Sequence, residues 1–138
     1  MRRGFLLALV ALAIAAALPV RAQDARSTEA QDAARAWLAL ADRNDAEAAY
    51  KAAGEKFHRQ VPKAQWAKAL NDTRAPFGAN LRRTVVTTQF LDRIKGFGKG
   101  DYAVMLFRSS FAKKEFAQEQ VTVEKTANGW QVIGYFVR

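Results

Sequence analysis

Few side chains in this sequence have the types and spacing that chemistry needs. His58 is the only histidine, and its neighbours Phe57, Arg59 and Gln60 bring no carboxylate, so neither a metal site nor a catalytic triad has material. Cysteine is absent, which removes disulfides, thiol nucleophiles, Cys-ligated zinc and the lipid-modified cysteine of a bacterial lipoprotein. The glycine-rich stretch KGFGKGDY, Lys95 to Tyr102, has the look of a phosphate cradle. A phosphate loop, however, needs a helix whose N-terminus faces the anion. Here strand-like patterns lie on both sides, so the stretch reads as a hairpin turn, and no cofactor or metal is expected.

The remaining constellation depends on strand register. From Leu81 onward the hydrophobic period is two, with β-branched and aromatic residues dominant, which predicts strands near 81–93, 101–111, 116–126 and 130–138. Short connections make the sheet an antiparallel meander. Two-residue loops at Lys113-Lys114 and Asn128-Gly129 set Tyr102 opposite Lys125, Arg108 opposite Glu119, and Glu119 opposite Arg138. One surface then carries Tyr102, Val104, Leu106, Val121, Val123, Val132 and Phe136, and ends in the row Arg108, Glu119, Arg138. Two guanidiniums around one carboxylate could grip an anionic ligand beside an apolar cavity, with Tyr102 on the same wall. The same row also reads as cross-strand ion pairing, in which the terminal carboxylate of Arg138 cancels the surplus charge.

Helices must cover that surface. Ala30, Ala33, Ala34, Trp37, Leu38 and Ala41 recur at helical spacing, with Thr28 and Gln31 placed as a capping box. Asp45 can cap a second helix carrying Ala49, Tyr50, Ala53 and Phe57, bent at Gly54. Pro62 opens a third, with Trp66, Ala69, Leu70 and Thr73 inward, and Arg74-Ala75-Pro76-Phe77-Gly78 ends it. The expected fold class is therefore α+β, with three N-terminal helices on a curved four-stranded antiparallel sheet.

The ends and the charge bound the setting. Residues 1–22 read as a secretory signal peptide: Arg2 and Arg3, an apolar run from Phe5 to Leu18, then Pro19-Val20-Arg21-Ala22 with cleavage after Ala22. That run is shorter than the roughly 20 residues a bilayer core requires. Residues 23–27 are expected to be a flexible mature N-terminus, and 28–138 a single domain. The expected location is periplasmic or secreted, with no transmembrane segment after processing. Taking the three leader arginines from the formal +9 leaves the remainder at +6. Its lysines and arginines are scattered and not gathered into a recognisable module, so nucleic acid is not an expected partner.

Three stretches carry a family likeness. Gly100-Asp101-Tyr102, Phe107-Arg108-Ser109-Ser110-Phe111-Ala112-Lys113-Lys114 and the closing Gly129-Trp130-Gln131-Val132-Ile133-Gly134-Tyr135-Phe136-Val137 resemble the domain of unknown function 4019 of exported bacterial proteins. Trp37-Leu38 with Asp42, then Tyr50, Phe57, Trp66 and Arg74-Ala75-Pro76-Phe77-Gly78 agree with it. Pro62 departs from the pattern, standing where such sequences often have a serine. The resemblance assigns no functional residues. Helices first and a curved antiparallel sheet after, closing on the Trp-x-Val-x-Gly-Tyr strand of Trp130 to Tyr135, also resemble the nuclear-transport-factor-2-like, or cystatin-like, α+β cone, a superfamily holding enzymes and plain binding or dimerisation domains alike.

Three functions are therefore expected in competition. One is a non-catalytic periplasmic domain that binds a small ligand or an envelope protein through Arg108, Glu119, Arg138 and Tyr102. Another is a small cone-type enzyme with Glu119 as acid or base. The third is a homodimer through the outer sheet face, because strand 4 is apolar on both sides.

Overall fold

The computed structural model describes residues 20–138, with side chains from residue 25 onward. Helices α1 (Val20–Asp42), α2 (Ala46–Ala52), α3 (Glu55–Gln60) and α4 (Lys63–Arg74) lead through a 3₁₀ turn (Ala75–Phe77) into strands β1 (Asn80–Ile94), β2 (Gly98–Phe111), β3 (Lys114–Thr126) and β4 (Gly129–Val137). The strands form one antiparallel sheet in the order β1-β2-β3-β4, so the α+β meander is as expected. Most of the expected leader lies outside the described residues; its last three, Val20 to Ala22, begin α1. No helix among the described residues is long and apolar enough to cross a membrane.

The helices depart from expectation in two places. First, α1 runs on through residues 23–27 and has no break at Thr28. Arg26 explains the extension: it pairs with Asp101 and lies 4.1 Å from the centre of the Phe90 ring. The Gln31 amide, expected in a capping box, instead donates to Thr88 Oγ1 at 2.9 Å. Second, the helix expected from Asp45 to Phe57 is two helices. Asp45 caps α2 by accepting from the Ala48 amide at 3.2 Å, but Ala53 and Gly54 are extended. The Gly54 N–H donates to Val132 O at 2.7 Å, so the edge of β4 takes a bond that the helix would have used.

Buried faces of α1, α2, α3 and α4 meet the sheet over Trp37, Leu38, Phe57, Trp66, Leu70, Met105, Phe107, Val121, Val123 and Val132. Trp37 is central, 5.2 Å from Tyr135, 5.9 Å from Trp66 and 6.2 Å from Phe57 between ring centres. The Trp37 and Trp66 indoles each have a partner for the N–H, as buried tryptophans need: Trp37 donates to Ala49 O at 2.8 Å and Trp66 to Ala46 O at 2.9 Å.

Both hairpin loops are displaced from their expected positions. Ala112 and Lys113 form the β2–β3 turn, with Phe111 opposite Lys114. Their N–H groups donate to Ala79 O and Phe77 O, both at 2.8 Å, so the segment before β1 fixes where the chain reverses. The β3–β4 turn is Ala127-Asn128, with Thr126 opposite Gly129. Only Gly129 there has positive φ, at 87°, whereas a loop at Asn128-Gly129 needs it at both residues. The Thr126 hydroxyl accepts from the Asn128 N–H at 3.1 Å and holds the turn.

The glycine-rich stretch is a hairpin, with a further use for its last glycine. Lys95 to Phe97 make the turn between Ile94 and Gly98. The Tyr102 ring lies back over Gly100: a Cβ there would meet Tyr102 Cζ at 2.5 Å and Oη at 2.7 Å. Gly100→Ala is therefore expected to cost about 1–3 kcal/mol as an overpacked contact, measured by urea unfolding. In a Tyr102→Ala background, where only the Glu124 Oε2 contact at 2.9 Å remains, the same change should cost clearly less, and equal costs in both backgrounds would contradict the Tyr102 contact.

Candidate functional site

One-residue displacement of the β2–β3 register turns β2 over. Phe107, not Arg108, stands opposite Glu119, and Arg108 stands opposite Gln118. Arg108 and Arg138 are consequently exposed, on the face away from the helices, where Arg138 donates to Gln118 Oε1 at 3.1–3.2 Å. The expected Arg108-Glu119-Arg138 row does not form. The competing arrangement put Phe107 and Phe111 inward in place of Arg108, and desolvation favours it, since an arginine is far costlier to bury than a phenylalanine.

Glu119 does lie between two arginines on the sheltered face, but they are Arg74 and Arg83. Its carboxylate is wholly buried. Oε1 accepts from Arg83 Nε at 2.8 Å and from Ser109 Oγ at 2.5 Å, and Oε2 accepts from the Tyr135 hydroxyl at 2.5 Å. Arg83 reaches on to both oxygens of Asp42 at 2.8 and 2.9 Å. Arg74 donates to Asp42 Oδ1 at 2.6 Å, and its other terminal nitrogen lies 3.9 Å from Glu119 Oε2. The Arg74 guanidinium also covers the Phe111 ring at 4.7 Å. Two cations and two anions thus close a neutral network, drawn from α1, α4 and all four strands.

Local sequence explains each position. Asp42 and Arg74 are the last residues of α1 and α4, and Arg83, Ser109, Glu119 and Tyr135 are inward residues of successive strands. A carboxylate at a helix C-terminus opposes the helix dipole, so Asp42 needs its two guanidiniums. Burial pushes the Asp42 carboxyl up, but the bonds and charges of Arg83 and Arg74 outweigh that and hold it below 3.8. Burial likewise opposes the charge on Arg83, and Asp42 with Glu119 prevails and raises its pKa. Burial first, then the charge of Glu119, push the Tyr135 phenol well above its ordinary range, so it remains a hydrogen-bond donor.

Tyr102, expected on the inner wall, lies on the other face with Glu124 directly opposite. Its hydroxyl is 3.1–3.3 Å from the carbonyls of Phe97, Gly98 and Lys99 and accepts from Lys56 Nζ at 2.9 Å. Lys56 also pairs with Glu124, and that pairing, helped by Tyr102, raises its pKa. This cluster ties the β1–β2 hairpin to α3. His58 stacks on Tyr50 with ring centres 4.5 Å apart, and its Nε2 is 2.6 Å from Tyr50 O. Among the described residues no group of three or more His, Asp or Glu side chains is placed to hold a metal ion.

A model for the family described as protein of unknown function (DUF4019) matches residues 33–135. No curated protein and no solved structure matches the chain.

Glu119→Gln leaves Arg74 and Arg83 buried around a single remaining anion, and the expected loss is about 3–5 kcal/mol in urea unfolding. Arg108→Gln should fall within about 0.5 kcal/mol of the parent. A reversed order would restore the expected row. Because folding lowers the Asp42 pKa, its contribution is complete above about pH 4 and is lost as pH falls through the folded-state value. Asp42→Asn should therefore be less stable at neutral pH and should flatten the acid limb of a stability–pH curve.

Proposed function

Because this chain belongs to the DUF4019 family, whose description assigns no activity, its function must be argued from its surfaces, and we propose an exported, non-catalytic domain that docks an acidic partner protein on the uncovered face of its sheet. Export rests on the leader pattern of residues 1–22, which points to the periplasm or the extracellular space.

The carrying observation is the makeup of that face. Large apolar residues stand out from it: Phe116 is 73% exposed, Phe136 58% and Val86 50%, with Leu81 on the adjoining edge strand at 67%. Leu81, Val86 and Phe116 have no Cα partner across the β1–β2 and β2–β3 ladders, because each sits at a register shift. Bulges re-aim side chains, and here they turn apolar groups toward solvent. Arg82, Arg108 and Arg138 share the face, and among the described residues none of them forms an ion pair with an acid. Apolar groups set among unpaired arginines suit an apolar surface bearing carboxylates.

Charge also selects among occupants. A second copy on the same face would set arginines against arginines, which disfavours a symmetric dimer. The enzyme reading would need Glu119 to meet a substrate, yet its oxygens are occupied and its side chain is wholly buried.

The test is photo-crosslinking in the native envelope, with p-benzoylphenylalanine in place of Phe136 or, as a control, of Lys125. Docking predicts one discrete adduct from position 136 that is lost in the Arg82→Glu, Arg108→Glu double variant and absent from position 125. A product at twice the chain mass, or none at 136, would overturn it.

A further inference from the structure

The β2–β3 turn creates a groove on the docking face that has its own composition. It is lined by Arg82, Thr84, Arg108, Ser109, Ser110, Glu115 and Phe116, and its volume is about 180 Å³. Register fixes these neighbours: Arg82 is opposite Ser110 and Thr84 is opposite Arg108, all pointing away from Arg83 and Ser109, which serve the buried network. Opposite Glu115 and Phe116 the ladder skips, so Phe116 rises beside the two arginines instead of joining the core.

We propose that this groove is a carboxylate site, in which Arg82 and Arg108 hold a carboxylate of the partner while Phe116 packs against the apolar side chain next to it. The inference rests on the docking reading and names the group that reading leaves unspecified.

Three features support it. Planar guanidiniums take carboxylates in two-pronged geometry, and Arg82 and Arg108 spend none of that capacity on acids within the described chain. Thr84 and Ser110 belong to the same lining, and a hydroxyl can donate to a remaining carboxylate lone pair. The volume suits one amino-acid residue and not an extended cofactor. Glu115 also lines the groove, so two cations face one anion. One carboxylate neutralises that surplus.

The probes are N-acetyl-phenylalanine, which carries a terminal carboxylate, N-acetyl-glutamyl-phenylalaninamide, which carries a side-chain carboxylate, N-acetyl-phenylalaninamide, which carries none, and phenyl phosphate. Titration followed by amide shifts in two-dimensional NMR should show binding of at least one carboxylate probe, with shifts confined to residues 82–84, 108–110 and 115–116. The amide should not bind, and phenyl phosphate should bind more weakly. Arg108→Gln should reduce carboxylate affinity about tenfold or more. It lies outside the buried network, so its native spectrum keeps the test interpretable.

Stronger binding by phenyl phosphate would overturn the carboxylate assignment in favour of a phosphate site. Binding of the amide equal to that of the acid would make the groove merely apolar, and shifts scattered over many arginines would mean no site at all. The two readings fail separately: if crosslinking at position 136 succeeds while every carboxylate probe fails here, docking stands and this groove is not its anchor.

Discussion

A wholly buried carboxylate cannot be left alone, and the arrangement around Glu119 follows from that constraint. Removing one ion from water costs several kcal/mol, so Glu119 is tenable only with close cations and with hydrogen bonds to both oxygens. Arg83, Ser109 and Tyr135 supply the bonds, and Arg74 adds a second cation nearby. Two arginines beside one glutamate would overcharge the site, and Asp42 at the end of α1 restores neutrality. Each member needs the others, so the strands and the ends of α1 and α4 are fixed together.

The network also acts on register. A one-residue slip of β3 would turn Glu119 outward and bring Gln118 or Gln120 in, leaving two buried arginines with one anion. The apolar pattern of β2 discriminates poorly, because Val104 and Leu106 on one face compete with Met105, Phe107 and Phe111 on the other. Such networks do not reliably add net stability over an apolar core, and their stronger effect here is to penalise the alternatives.

Satisfying the inner side determines where function can reside. Trp37, Phe57, Trp66 and Tyr135 pack together on the sheltered side, where the expected register had implied an apolar cavity, and the Glu119 carboxylate, the acid or base of the enzyme reading, is enclosed by donors. The outer side carries the unspent material: unpaired arginines, bulge-borne apolar groups and a small groove.

Local patterns were sufficient for much of this protein. Period-two residues from Leu81, the Asp45 cap, the Pro62 start and the Arg74-Ala75-Pro76 stop depend on neighbours in sequence, and the strands and α4 lie where those signals put them. The inward position of Glu119 was legible too. Which arginines it meets was not, because the choice depends on single-residue register, and both hairpin signals were ambiguous at that scale. The decisive contacts come from far along the chain: Phe77 and Ala79 carbonyls hold the β2–β3 turn, and Val132 takes the N–H of Gly54 and divides the second helix. Sequence determined which segments are helix or strand, since that follows from short-range sterics and hydrophobic period. Tertiary structure decided which face each strand shows and which charges meet, since desolvation acts only once the whole fold has closed.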